Sequence, residues 1–142
     1  KCKGKTLKCS KLNTEDCNAK FEGEQAGQGS MIEGHWAKDL KVYCNKGKQV
    51  CSKAVVDCKV KDDCRVYCGG YKSSQACEGL LIQGSNAPDD VELTCDGSYY
   101  SDKPCKDVQV ECGGYSKAYS KPYAKKDTKC RITCLGSKDA CD

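Results

Sequence analysis

Cysteine is the residue type that dominates the chemistry of this chain, because 15 of its 142 residues are cysteines. A cysteine content near a tenth is typical of domains in which disulfide bonds compensate for a small hydrophobic core. The chain has one Phe, one Trp and one Met, and its mean hydropathy is −0.71, so little apolar volume is available for a core. Disulfide bonds persist in oxidising compartments, and the composition therefore predicts a secreted, extracellular protein.

The cysteines recur in a regular pattern. Five times, a short strand-like segment ends in Cys, a polar loop follows, and another Cys opens a second segment. The first segments end at Cys9, Cys44, Cys68, Cys95 and Cys134, and the second segments begin at Cys17, Cys51, Cys77, Cys105 and Cys141. Such a recurrence is typical of a stacked repeat architecture.

Apolar and polar residues alternate within these segments. In one segment Cys64, Val66 and Cys68 share a face, with Arg65 and Tyr67 between them. A period of two is typical of a strand with one buried face. No apolar period of 3.6 residues lasts for two turns, so the chain is predicted to be all-β.

The length of the repeat selects the β architecture. Two strands and two loops in about 25 residues correspond to one coil of a flattened solenoid. The prediction is a small disulfide-stapled β-solenoid, parallel β-helix-like, with about four coils of two short strands, and residues 1–142 as a single Cys-rich repeat domain. The alternative is an antiparallel β-sandwich built from the same strands.

The cysteines divide into structural and inter-subunit candidates. Because parallel strands lie ~4.8 Å apart, disulfides could run up the stack or across one coil, and the spacing leaves this open. The structural candidates are Cys9, Cys17, Cys44, Cys51, Cys58, Cys64, Cys68, Cys77, Cys95, Cys105, Cys112, Cys130 and Cys134. The cysteine count is odd, and Cys2 and Cys141 are the candidates for a covalent link between subunits. Apolar residues occupy the equivalent positions of other units, which favours core disulfides over zinc ligands, so no metal or cofactor is predicted.

Two segments, residues 24–39 and 113–129, are longer than their counterparts and are predicted to be loop insertions on one edge of the solenoid. The first holds His35 and Trp36, the only His and Trp, and is a candidate recognition patch for a sugar ring or a partner protein. The alternative is that Met31, Ile32 and Trp36 fold inward and cap an open end.

The second segment alternates Tyr and Lys. Its candidate binding residues are Tyr115, Lys117, Tyr119, Lys121, Tyr123, Lys125 and Lys126. Charge combined with aromatic contact would suit an anionic polysaccharide or a cell surface. The alternative is a solvated basic loop with no partner.

Several classes of function are excluded by composition. A single His and the commitment of the thiols to disulfides leave no convergent catalytic group, so the protein is predicted not to be an enzyme. The net charge of +4 is dispersed, which argues against nucleic acid as a partner. No apolar stretch approaches the roughly 20 residues of a membrane span.

The sequence therefore predicts an extracellular structural protein. Lys1 opens the chain without a Met or an apolar leader, as expected of a mature secreted product. The second-type strand that Cys141 opens is incomplete, so the expected partner is a further copy of the chain, in a head-to-tail homopolymer that forms a fibre, coat or adhesive matrix. The alternative is a secreted binding module, lectin-like or an effector or toxin, that uses the 24–39 and 113–129 loops.

Overall fold

The computed structural model describes residues 3–9, 15–84, 90–98, 101–112, 129–136 and 139–141, and this part of the chain is all-β. Its strands are β1 (Thr6–Lys8), β2 (Cys17–Glu22), β3 (Met31–Glu33), β4 (Leu40–Asn45), β5 (Val55–Asp57), β6 (Cys64–Gly69), β7 (Leu81–Gly84), β8 (Asp90–Asp96), β9 (Gln109–Cys112) and β10 (Lys129–Leu135). The odd-numbered strands form one five-stranded sheet, sheet A, and the even-numbered strands form another, sheet B.

Every strand pairing in the two sheets is parallel. The chain runs along sheet A, turns into sheet B, and returns to the next strand of sheet A, so each coil adds one strand to both sheets. Leu40 thus lies opposite Cys64, which lies opposite Val91. This is a parallel β-solenoid of about four turns, as the sequence predicted, and the parallel pairing excludes the antiparallel sandwich.

The core lies between the inner faces of the two sheets. Sheet A contributes Ile32, Val56 and Ile82, and sheet B contributes Val42 and Val66, all at most 2% exposed. These residues occupy matching positions on successive strands. The alternation of apolar and polar residues in the sequence therefore corresponds to the inner and outer faces of the strands.

Within the described residues a third side of the coils contains no strand, and we call it the turn face (residues 25–30, 49–54, 75–80 and 103–108). Gln25, Gln49 and Gln75 open three of these segments with φ between 53° and 54°. Their N–H groups point along the stack; that of Gln25, for example, donates to the Lys48 carbonyl at 2.9 Å. A left-handed conformation costs a non-Gly residue about 1–2 kcal/mol, and the hydrogen bond to the next coil offsets part of this.

Two corners of each coil matter below. The first corner joins sheet A to sheet B, and the second corner joins sheet B to the turn face. Cys9 follows β1 and lies at a first corner, whereas Cys44 on β4 lies at a second corner. The sequence analysis treated these two cysteines as equivalent, and the structure corrects that alignment.

The predicted insertion at residues 24–39 is not an insertion. These residues contain a regular turn-face segment, strand β3 and a first corner. Strands of sheet A follow one another at 24 to 28 residues, with β3 in step. Strand β3 was not predicted because Gly27 and Gly34 take the positions at which Cys51 and Cys58 flank the equally short β5. Of the second predicted insertion, residues 113–128 lie outside the described residues, and Lys129 begins β10.

Candidate functional site

The cysteines close the corners of single coils. The first corners hold Cys9–Cys17 and Cys58–Cys64, and the second corners hold Cys44–Cys51, Cys68–Cys77, Cys95–Cys105 and Cys134–Cys141. Their Cα–Cα distances of 5.6–6.0 Å lie in the usual range for disulfides. The pairing that the sequence left open is therefore within a coil for these bonds. Cys130 is also disulfide-bonded, and the Cys112 side chain lies outside the described part.

Cys141 is not available for a link between subunits. The sequence analysis assigned it that role because the strand it was thought to open is incomplete. In the structure Cys141 lies at the second corner of the last coil and bonds Cys134, seven residues earlier. Its position matches that of Cys51, Cys77 and Cys105 in the other coils, which explains why it takes an internal partner. Cys2, the other inter-subunit candidate, lies outside the described residues.

The only His and Trp lie at the first corner of the second coil. His35 and Trp36 both adopt left-handed backbone conformations, with φ of 45° and 65°. Trp36 is 49% exposed, and the Lys59 Nζ of the next coil lies 5.2 Å from its ring centroid. The hypothesis that Trp36 caps an open end is therefore wrong. Only Ile32 of that group is buried, and Met31 is 39% exposed on the outer face of sheet A.

The Tyr and Lys residues of the second predicted loop, from Tyr115 to Lys126, lie outside the described residues. The interpretation of the two segments as one binding surface therefore stays a prediction.

The outer face of sheet B carries an ordered set of polar side chains. On it, parallel register places residues in rows that run across the strands. The row nearest the first corner contains Asn18, Lys41, Arg65, Glu92 and Arg131, and the next row contains Lys20, Tyr43, Tyr67, Thr94 and Thr133. Adjacent strands lie ~4.8 Å apart, so side chains within a row are in direct reach of one another.

Lys41 anchors one half of the first row. Its Nζ donates to the Asp16 carboxylate at 2.8 Å and lies 4.0 Å from Asp39. The hydrogen bond between them raises the pKa of Lys41 and lowers that of Asp16. Both groups therefore stay charged over the whole neutral range.

Arg65 anchors the other half of the first row. Its guanidinium bonds Asp63 at 2.6 Å and Glu92 at 3.1 Å, and Arg131 reaches the same Glu92 at 3.4 Å. Burial raises the pKa of Asp63 in spite of Arg65, and the nearby Asp39 contributes in the same direction. The three cations of this row face four carboxylates, Glu92 within the row and Asp16, Asp39 and Asp63 beside it, so this part of the face is close to electrically balanced.

Two neighbouring tyrosines form the centre of the second row. Tyr43 and Tyr67 occupy matching positions on β4 and β6, with ring centroids 6.5 Å apart and planes tilted by 44°. Between the rings and the ion-paired row lies a shallow depression of about 170 Å³, lined also by Lys41, Arg65, Glu92 and Thr94. The sequence analysis did not single out these tyrosines. The signal was present, because Val-Tyr-Cys occurs at both 42–44 and 66–68.

The Tyr67 ring is fixed by its hydroxyl group. The hydroxyl donates to Asp96 on β8 at 2.5 Å, and Asp96 also accepts from the backbone N–H and the hydroxyl of Ser98. Burial, with the Asp96 carboxylate, raises the pKa of Tyr67 to about 12. Burial alone would raise the pKa of Asp96, but the Ser98 and Tyr67 hydrogen bonds outweigh it and lower that pKa.

The two end faces of the solenoid carry opposite charges at matching places. On the side of sheet A, the first coil exposes Lys8 and the last coil exposes Glu111 at the same register position. On the side of sheet B the signs are reversed. The segment entering β2 carries Glu15 and Asp16, and β10 exposes Lys129 and Arg131.

Comparison with known proteins adds no relative: no protein-family profile, curated protein or solved structure matches the chain. Among the described residues there is no helix that is long and apolar enough to cross a membrane. The same residues contain no group of three His, Cys, Asp or Glu side chains arranged to hold a metal ion. The disulfides fit a protein of an oxidising environment.

Proposed function

We propose that the protein is an extracellular structural subunit that stacks head to tail, with the last coil of one copy on the first coil of the next. The observation that carries the proposal is the charge complementarity of the two end faces. Stacking of this kind is heterologous, and it builds an open fibre when the rotation between copies does not close.

The strands at both ends have one unpaired edge. Strands β1 and β2 at one end, and β9 and β10 at the other, each pair with a single strand in the described part of the chain. Ile132 on β10 is aligned with the buried Leu93, yet it is 57% exposed. Exposed strand edges next to exposed core residues are templates for further strand pairing.

The fit between two copies can be examined by extending the strand register of sheet A by one coil. If β1 of a second copy follows β9 as β3 follows β1, Lys8 of that copy lies opposite Glu111. The same contact already exists inside the solenoid, where Lys8 Nζ lies 3.3 Å from Glu33. Val110 would lie opposite the Leu7 of the second copy, so an apolar contact would accompany the ion pair.

Extension of sheet B gives a second, independent match. Asp16, Asp39, Asp63 and Asp90 follow one another at the entry to the strands, and Lys129 takes this position in β10. The next copy would place its Asp16 above Lys129. The row of aspartates would thus be interrupted by Lys129 at each junction between two copies. This favours head-to-tail stacking over the reverse orientation.

Charge exchange between the end faces tests the proposal. Glu111→Lys should leave the protein monomeric in light scattering and negative-stain imaging, under low-salt conditions in which the unmodified protein forms filaments. Lys8→Glu should do the same. A mixture of the two variants should assemble again, because each supplies the charge that the other has lost. Screening by salt should weaken every one of these assemblies.

Asp57→Lys is the matched control, because Asp57 lies in the same row of sheet A as Glu111 but in a central coil. It changes the net charge equally and should leave assembly intact. A protein that stays monomeric at every concentration and salt condition would contradict the proposal, as would equal loss of assembly in the control.

The alternative, a binding module that uses residues 24–39 and 113–129, has less support. Residues 24–39 belong to the regular coil, and the Trp36 ring lies beside Lys59 at a corner of the framework. A binding role finds better support on the outer face of sheet B.

A further inference from the structure

Tyr43 and Tyr67 form an aromatic platform on a flat surface. They lie on adjacent parallel strands, and the Tyr43 side chain is 38% exposed. A large aromatic ring that is left open on a sheet otherwise covered by ion pairs is a preferred contact for amphipathic ligands. The hydrogen bond from the Tyr67 hydroxyl to Asp96 fixes the Tyr67 ring, so little side-chain conformational entropy would be lost on binding.

The polar wall beside the rings is also held in place. Arg65 is fixed between Asp63 and Glu92, and Lys41 is fixed by Asp16. The depression is therefore lined by two fixed donors, Lys41 and Arg65, and by one fixed carboxylate acceptor, Glu92. Such a wall offers hydrogen bonds of both kinds to a ligand that carries many hydroxyl groups.

The charge balance indicates which ligands suit the face. Lys41 and Arg65 each lie within 4.0 Å of two carboxylates. An anionic ligand would have to compete with these carboxylates, whereas a neutral ligand would leave the ion pairs intact. The depression of about 170 Å³ is too small to enclose a ligand, and it suits a chain that lies across the surface.

We propose that the outer face of sheet B binds a neutral polysaccharide, with the apolar face of a sugar ring on Tyr43 and Tyr67 and its hydroxyl groups hydrogen-bonded to Arg65, Glu92 and Thr94. The chain lies across the strands, along the rows of the sheet. The inference does not depend on head-to-tail stacking, because all of these residues belong to the central coils of one copy.

The test uses the full chain and soluble neutral hexasaccharides, namely cellohexaose, chitohexaose, xylohexaose and mannohexaose, with binding measured by calorimetry. At least one of them should bind. Tyr43→Ala and Tyr67→Ala should each weaken that binding by about tenfold or more, as expected for aromatic anchors. Tyr43→Phe should retain it, since the ring remains.

Tyr71→Ala is the matched control. Tyr71 is 55% exposed but lies beyond the end of β6, outside the platform, so its loss should not change binding. Thermal unfolding of each variant verifies the fold. The proposal is overturned if no neutral hexasaccharide binds, if binding survives both alanine replacements, or if only an anionic chain such as hexagalacturonate binds.

Discussion

Each corner of a coil is closed in one of two ways. Either a disulfide closes it, or a glycine packs there against a larger side chain of another residue. At the second corner, four coils have a disulfide, whereas the first coil has Phe21 and Gly27 at the same register positions. A Cβ atom at Gly27 would lie 2.6 Å from the Phe21 ring, so the ring occupies the volume that a cystine fills elsewhere. The sulfur atoms are therefore part of the packing as well as cross-links.

The first corner shows the same exchange in alternate coils. Cys9–Cys17 and Cys58–Cys64 close the first and third coils, and Gly34 and Gly84 take the corresponding positions in the second and fourth. A Cβ atom at Gly84 would lie 2.8 Å from Val91, which is fully buried. Glycine next to a bulky side chain thus fills a corner as a cystine does, but without the covalent bond.

The largest expected effect is the loss of a central cross-link. Replacement of both Cys68 and Cys77 by Ala should lower the free energy of unfolding by about 2–5 kcal/mol, because the bond constrains the unfolded chain and both sulfur atoms are buried. Urea unfolding followed by circular dichroism measures this. A change below about 0.5 kcal/mol would mean that packing alone closes the corner.

Conversion of the Phe21–Gly27 corner into a cystine sharpens the comparison. The Phe21→Cys/Gly27→Cys variant should form a disulfide without a change in the number of alkylatable thiols, because the equivalent Cys51 also has a positive φ, of 54°. Its oxidised form should exceed its reduced form in stability by about 2 kcal/mol. Two free thiols in the folded variant would contradict the equivalence of the corners.

Two alanine replacements serve as controls for that variant. Gly27 and Gly29 have similar positive φ values of 70° and 64°, but a Cβ atom at Gly29 would meet nothing within 4 Å. Gly29→Ala should cost only the left-handed conformation, about 1 kcal/mol. Gly27→Ala should cost about 1–3 kcal/mol more, because the Phe21 ring must move.

The smallest effect concerns a hydrogen bond beside the second corner. The pKa of Tyr67 is about 12 in the fold against an ordinary 10.0, so the folded state holds this proton more tightly. The resulting stability is complete below pH 10 and is lost as the pH rises through about 12. Unfolding measured in urea over this interval should show a steeper fall than in Tyr67→Phe. Identical slopes would mean that neither burial nor the Asp96 contact raises the pKa of Tyr67 in the fold.

The sequence predicted the solenoid because apolar and polar residues alternate regularly in the strands of sheet B. Cys64, Val66 and Cys68 alternate with polar residues, and so do their counterparts in the neighbouring coils. Strand β3 escaped prediction because no cysteine lies on either side of it, whereas Cys51 and Cys58 flank the equally short β5. Its absence led to the incorrect alignment of Cys9 and to the supposed insertion at 24–39.

The turn face was harder to predict because non-Gly residues in left-handed conformations follow no common turn rule. A recurrent motif would have revealed it, since Gln opens the segments at 25, 49 and 75. The candidate binding surface was missed for a different reason. Tyr43 and Tyr67 are distant in sequence, and only the register of β4 and β6 brings them together.

The order of the cross-links has a consequence for how the chain acquires its structure. Each of the described disulfides joins a cysteine to the next one along the sequence, over only 6 to 10 residues. Strand β6 keeps Cys64 and Cys68 about 13 Å apart, which prevents that shorter pairing once the strand has formed. Each of these bonds can therefore close as soon as its own short segment has folded, without waiting for a distant part of the chain.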